Sequence, residues 1–377
     1  MIVTFWILMI LYCLMTLVLL YGWEKGMPEK PYGDKNNKLL TVLIPVRNEA
    51  KNLEDLLHDL ENQNYPANCF NVIVIDDNSE DETARIAEQY GLSSTYDLKV
   101  LPLQVPAGFR GSHKKLAISQ GVKNTRSEFV VCTDGDCRLG RQWLSVIEDY
   151  YKRHQAHFIS GPVVLEGSKK WWHNIQIMEF SSLIGAGAAS LKLGMPNMCN
   201  GANMGFRRDT FVALGGYKGF EHIHSGDDEF LMYKIFSKHP EKVHFLKDAR
   251  ATVKTSVKNS LSAFIHQRKR WSGKWKFHRQ ISSRLLAFFI FIVNLALIVA
   301  LFWLIAGKAT PVDILPLLLL KFSVDFLFVN AVLKFFNKKV NLRDFLILEL
   351  FYPFYAVFFG LFSNLGTYKW KGRKLNN

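Results

Sequence analysis

Three short acidic patterns carry most of the chemical potential of this 377-residue chain: Asp76-Asp77, Asp134-Gly135-Asp136 and Gly226-Asp227-Asp228. Carboxylates one residue apart in a tight turn offer the hard oxygen ligands that hold Mg2+ or Mn2+. A cation held by Asp136 and Asp134 would act as a Lewis acid and neutralise a phosphate-bearing leaving group. The same D-x-D pattern also arises by chance in solvated loops, so its weight depends on what precedes it. Asp227 and Asp228 follow a glycine that frees the backbone, and Glu229-Phe-Leu-Met-Tyr233 reads as a helix start. Either carboxylate could serve as a general base; the alternative is helix-start acids placed for the macrodipole. Asp76 and Asp77 suit a ligand contact or a plain turn and cap.

Such groups need rigid elements behind them. Short β-rich apolar runs at 39–45, 71–75, 98–103 and 128–132 read as strands, with helical spacing at 49–60, from about 81, and at 115–123. Strands alternating with helices predict an α/β domain with a mostly parallel sheet flanked by helices. Ligands bind such sheets at the carboxyl ends of the strands, where Asp76-Asp77 and Asp134–Asp136 both fall.

Hydrophobic residues make up 49% of the chain and concentrate at 2–21, 285–305, 312–333 and 345–363. Each run is near the roughly 20 residues that cross a bilayer. The first lacks a charged n-region and a small-residue cleavage site, so it reads as an uncleaved anchor. Net charge is +14, and between Ala249 and Arg284 stand ten Lys/Arg and no acidic residue. That run ends at an apolar span, so it marks a cytoplasmic membrane face and not a nucleic-acid site. Five scattered cysteines suit a reducing compartment. Cys132 and Cys137 have a spacing zinc uses but no second pair, and a zinc site at His222 and His224 is disfavoured. Gly185-Ala-Gly187 reads as close helix packing, not as a dinucleotide loop.

In order along the chain, Ile44-Pro45-Val46-Arg47-Asn48-Glu49, Ile75-Asp76-Asp77-Asn78-Ser79-Glu80-Asp81, Asp134-Gly-Asp136, Gly226-Asp227-Asp228 and Gln267-Arg-Lys-Arg270-Trp271 resemble the landmarks of glycosyltransferase family 2, the large inverting family with a GT-A fold. The resemblance implies that Pro45, Arg47, Glu49, Asp76 and Asp77 shape a nucleoside pocket. It implies that Lys114 lies near the phosphates, that Asp136 is the main metal ligand, and that Asp134 faces sugar and nucleotide. Asp228, with Asp227 beside it, takes the general-base role. Gln267, Arg270 and Trp271 line the acceptor and diphosphate side, together with Gly201 and Asn203 of Asn200-Gly-Ala-Asn203. The surface readings stay open: Arg47 as an exposed residue, Lys114 as a solvated helix start, Gly201 as a turn glycine, and Leu261–Trp275 as a purely interfacial helix with Leu261, Phe264, Ile265 and Trp271 on one face.

The expected organisation is an anchor at 1–23, a linker at 24–38, a GT-A catalytic domain at 39–256, a basic interfacial segment at 257–284, a membrane region at 285–366 and a basic cytosolic tail at 367–377. Charge places the catalytic domain on the cytosolic side of a multi-pass cell (inner) membrane protein. Counting four spans would put the basic tail outside, so a break or re-entrant turn at 345–363, near Glu349 and Pro353, is expected. Lys321 and Asp325, four apart, are expected to pair. The resemblance implies a UDP-sugar donor and a membrane-associated acceptor. A lipid is favoured over a growing glycan, because few membrane segments remain for an export channel. A non-catalytic scaffold would be the reading if Asp136 or Asp228 were missing.

Overall fold

The computed structural model describes residues 2–25, 39–274, 277, 281–362 and 367–376. From residue 26 onward the expected linker lies outside them. α1 (Ile2–Glu24) is apolar around its whole circumference, as a helix immersed in other helices or hydrocarbon must be. The chain forms two compact units, Met27–Glu166 with Pro196–Ser256, and Met1–Gly26 with Gly167–Met195 and Val257–Asn377. The continuous catalytic domain expected at 39–256 is therefore corrected. Its middle, 167–195, is a helix that packs with the apolar ones, and a side chain on Gly22 or Gly185 would run into Leu193 or Val332.

The first unit is built on the runs read from the sequence. β1 (Leu40–Val46), β2 (Phe70–Asp76), β3 (Asp97–Pro102) and β4 (Phe129–Cys132) lie parallel in the order β3-β2-β1-β4. α2 (Leu53–Glu61), α3 (Thr83–Gly91) and α4 (His113–Lys123) alternate with them. β1 and β4 are buried on both faces, which explains their continuous apolar runs. β5 (Cys137–Arg138), α5 (Trp143–His154), β6 (Phe158–Ser160) and β7 (Val163–Glu166) follow, before α6 (Trp171–Lys192) joins the other unit. The chain returns through β8 (Met204–Arg207), α7 (Arg208–Ala213), α8 (Asp227–Phe236), β9 (Val243–Phe245) and β10 (Val253–Ser256).

The seven-stranded sheet runs β3-β2-β1-β4-β8-β6-β9, and β8 is antiparallel to both neighbours. The sequence pattern announces no strand at 204–207. The segment is a strand because Gly205 leaves room for the Phe129 ring, which a side chain there would strike. A second sheet, β5-β10-β7, closes the unit.

The other unit continues with α9 (Leu261–Ser272), α10 (Ile281–Ile305), α11 (Pro311–Phe335), α12 (Leu342–Phe362) and a hairpin of β11 (Thr367–Trp370) and β12 (Arg373–Asn376). Among the described residues three helices are long and apolar enough to cross a membrane: Ile2–Glu24, Ser283–Ile305 and Leu342–Phe362. α11 carries the expected pair, with Lys321 Nζ 2.6 Å from Asp325 Oδ2, and Glu349 joins it at 2.5 Å. Tyr12 donates to Asp325 Oδ1 at 2.9 Å. The polar groups of three helices thus satisfy one another, as an apolar surrounding demands. The break expected at 345–363 is not found among the described residues of that range, because α12 runs unbroken through Pro353 to Phe362. All five cysteines are free.

Candidate active site

The carboxyl ends of β1, β2 and β4 converge, and their loops are stitched before any ligand is considered. Arg47 is 8% exposed, so it is no surface residue. Its Nη1 donates to the Asp77 and Asn78 carbonyls at 2.7 and 2.5 Å, and its Nη2 reaches Glu80 at 2.6 Å. Asn48 donates its N–H to Ser79 Oγ at 3.0 Å, while its Oδ1 accepts from the Glu80 N–H at 2.8 Å. The Glu49 N–H reaches Thr83 Oγ1 at 2.7 Å, and Pro45 pairs in register with Ile75.

Within this frame the two neighbouring aspartates part company. Asp76 turns back on Ser79, accepting from its hydroxyl at 2.5 Å and its N–H at 3.2 Å, which is the turn-forming role. Asp77 instead meets His113 Nδ1 at 2.7 Å. Thirty-six residues separate this pair, so no local pattern announces it.

The D-x-D turn and the start of α8 meet across a lysine. Lys114 Nζ lies 2.6 Å from Asp134 Oδ1 and 3.1 Å from Asp227 Oδ2. Burial works against the Lys114 ammonium, but Asp134 and Asp227 outweigh it and hold its pKa above the usual lysine range. Burial pushes the Asp227 carboxyl up, and Lys114 reverses that and holds it below the usual carboxylate range. Asp228 accepts the Gly201 N–H at 2.9 Å and the Glu229 N–H at 2.7 Å. Gly226 enters α8 with φ at 75°, a left-handed conformation suited to glycine. Gly201 lies close to both charges: a Cβ there would sit 2.8 Å from Asp227 Oδ2 and 3.1 Å from Lys114 Nζ.

Asp136 stands apart. It is half-buried and makes no hydrogen bond or ion pair among the described residues. A half-buried carboxylate left in this state fits a cation. Among the described residues no three His, Cys, Asp or Glu side chains gather into a complete metal cage. Two carboxylates with open positions suit an ion that also binds its substrate.

Asn203 departs from the acceptor role the resemblance implied. It is 1% exposed, its amide nitrogen donates to the Pro162 and Ala251 carbonyls at 2.8 and 2.9 Å, and its oxygen accepts from Trp143 Nε1 at 3.0 Å. The side chain is spent on framework. Sequence reading assigned Lys115 no role, and named Tyr217 only within Gly215-Gly216-Tyr217, a stretch resembling the family's acceptor side. Lys115 is buried against loop carbonyls, and the Tyr217 hydroxyl is buried without a hydrogen bond among the described residues. Burial, reinforced by Asp227, raises the Tyr217 phenol well above its usual pKa.

Gln267, Arg270 and Trp271 belong to the other unit, on α9. Gln267 and Arg270 are half-buried and make no hydrogen bond or ion pair among the described residues. The Trp271 ring lies 5.7 Å from Phe180, with the Arg268 guanidinium 4.4 Å above it. On α9, Leu261 is 62% exposed, and Phe264 and Arg268 are the buried positions. Arg268 pairs with Glu179 of α6, which accepts from the Tyr355 hydroxyl of α12 at 3.1 Å.

Acidic strand ends on a mostly parallel sheet, with apolar helices attached, define the class of GT-A-fold glycosyltransferases. Residues 129–361 match the profile described as glycosyl transferase family group 2, and residues 41–215 match glycosyl transferase family 2. The first match spans more than half of the chain, which belongs to this family. Its fold is similar to that of a mannosyltransferase from Pyrobaculum calidifontis, solved in complex with GDP-Man and Mn2+, at a TM-score of 0.60 and 15% identity over 96% of this chain and 97% of that one. It is 27% identical over 178 residues to a poly-beta-1,6-N-acetyl-D-glucosamine synthase of Staphylococcus epidermidis, covering 47% of this chain and 41% of the relative. It is 28% identical over 198 residues to a 4,4'-diaponeurosporenoate glycosyltransferase of Staphylococcus aureus, covering 51% and 50%. The matches span half or less of these curated relatives' length.

Proposed function

We propose that the protein transfers a hexosyl or N-acetylhexosaminyl group from a UDP-sugar to a lipid acceptor at the membrane, with inversion at the anomeric carbon. One observation carries this reading: Asp134, Lys114, Asp227, Asp228 and the Gly201 backbone converge at strand carboxyl ends beside Asp136, which has no partner among the described residues. Asp77 and the Arg47-braced loops take the nucleoside end of the donor. Asp136, with Asp134, would hold Mg2+ or Mn2+, which would supply charge neutralisation at the diphosphate. Lys114 adds a fixed positive charge on the same side. Asp228 removes the proton of the acceptor hydroxyl as its oxygen attacks the anomeric carbon; the carbon–oxygen bond to the diphosphate breaks, and the nucleoside diphosphate leaves. The two N–H groups on Asp228 hold its carboxylate in place for that step. Gln267, Arg270 and Trp271 serve the acceptor, in keeping with two polar groups that make no hydrogen bond or ion pair among the described residues.

A lipid acceptor draws support from the three candidate spans and from the diaponeurosporenoate glycosyltransferase relative. The glucosamine-polymer synthase relative favours a second reading, repeated extension of a glycan. The test is nucleotide release by purified protein in lipid, across UDP- and GDP-sugars with Mg2+ or Mn2+ and a lipid extract, beside Asp228→Asn. Metal-dependent UDP release that needs the lipid and falls about 10²–10⁴-fold in the variant is expected. Release of GDP alone would replace the donor. Long products would replace the single transfer. No release from any donor, with nucleotide binding also absent, would leave a non-catalytic scaffold.

A further inference from the structure

The first turn of α4 carries more than the lysine already described. Ser112 caps the helix, accepting the Lys115 N–H at 3.4 Å, and its own N–H donates to the Glu221 carbonyl at 2.7 Å. Three consecutive side chains then leave the turn in three directions: His113 to Asp77, Lys114 to Asp134 and Asp227, and Lys115 to the loop that precedes α8. Lys115 is 1% exposed, and its Nζ donates to the Phe220 carbonyl at 2.9 Å and the Ile223 carbonyl at 2.8 Å. The ammonium also lies 4.9 Å from the centre of the Phe230 ring, which stacks on Phe220 at 4.6 Å. Burying a lysine is costly, so a neutral residue would serve if this were ordinary core filling. Here it fixes a loop whose next residues are Gly226, Asp227 and Asp228. Gly226 sits against the same Phe230, since a Cβ there would approach its ring to 2.7 Å.

We propose that Lys115 is a positioning residue for the transfer: it latches the 220–223 carbonyls so that Asp228 is presented to the acceptor hydroxyl at a fixed distance from the donor groups on the same helical turn. The inference rests on the reading of Asp228 as the base. It makes α4 the element that ties nucleoside, diphosphate and base to one rigid body, and a misplacement of about 1 Å at such a base costs on the order of 10² in rate.

The experiment compares Lys115→Met, Lys115→Arg and Asp228→Asn in the full-length protein in lipid. It measures kcat with saturating donor and acceptor, the KM for each, the Kd of UDP with Mn2+ by calorimetry, and thermal unfolding. For Lys115→Met we expect kcat to fall about 100-fold while UDP affinity and donor KM stay within about threefold, because the donor groups keep their own contacts. Lys115→Arg, which also offers donors to two carbonyls but carries a bulkier head, should recover between about a third and three quarters of the lost decades. Wild-type kcat in Lys115→Met overturns the proposal. So does a parallel loss of UDP binding and kcat, which would make Lys115 a general support. If Lys115→Met does not fold, Lys115→Arg decides: wild-type UDP affinity with kcat lowered at least threefold supports the latch, and unchanged kcat overturns it. Full activity in Asp228→Asn would instead bring down the base assignment on which the latch depends.

Discussion

Gly201 shows how little room surrounds the carboxylates. The atoms a Cβ would meet there, Asp227 Oδ2 and Lys114 Nζ, are both ends of side chains, and Asp228 Cβ lies 3.6 Å away. Ends of side chains can swing aside at small cost, so Gly201→Ala should leave the fold standing and disturb the charges. We expect thermal unfolding to change by no more than a few degrees while kcat falls at least tenfold, through displacement of the Lys114–Asp227 pair. An alanine variant with wild-type kcat would mean that the close approach is incidental. Asn203, two residues further on, illustrates the opposite case: the same glycine-rich segment supplies a backbone contact at the site and a side chain consumed by the framework. Asp76 and Asp77 divide in the same way, one making the turn and the other facing His113.

At the scale of elements, α6, α9 and α12 are held by one buried ion pair and a phenol. Burial raises the Glu179 carboxyl, and the Arg268 charge opposes that shift. Removing the cation leaves a carboxylate stranded among apolar side chains. Arg268→Met should therefore cost about 3–5 kcal/mol, read as a lower unfolding temperature in detergent, whereas Tyr355→Phe should cost about 1 kcal/mol. An unfolding temperature for Arg268→Met equal to wild type would show that the pair adds nothing to the docking of these helices. The strands β1, β2 and β4 were legible because they are buried on both faces, and burial on both faces writes a continuous apolar run. β8 was not, because its pairing depends on Gly205 admitting the Phe129 ring from another strand, which leaves no periodic mark. The acidic motifs were readable as local patterns. His113 and Lys115 act through partners 36 and more than 100 residues distant, and nothing in their own neighbourhood reports those contacts.

For the whole molecule, the side on which the C-terminal hairpin lies follows from its contacts better than from counting spans. α12 is unbroken, so a turn at Pro353 cannot be what returns the chain. β11, however, packs directly on α9, the helix that carries Gln267, Arg270 and Trp271. α9 and the residues around it are rich in Lys and Arg and free of acidic residues, and so is the chain after Glu349. If the apolar helices cross a bilayer, two segments of the same charge sign that touch each other share one face of it, and the positive-inside rule predicts that this face is cytosolic. Ser262 on α9 and Gly372 at the hairpin turn are both exposed, so each can carry a single cysteine without entering a core. With an impermeant thiol reagent, Ser262→Cys and Gly372→Cys should stay unlabelled in intact cells and both react once the membrane is opened. Labelling of Gly372→Cys alone in intact cells would separate the hairpin from α9 and put the tail outside. Labelling of both would keep the pair together and reverse the orientation of the face that bears Trp271.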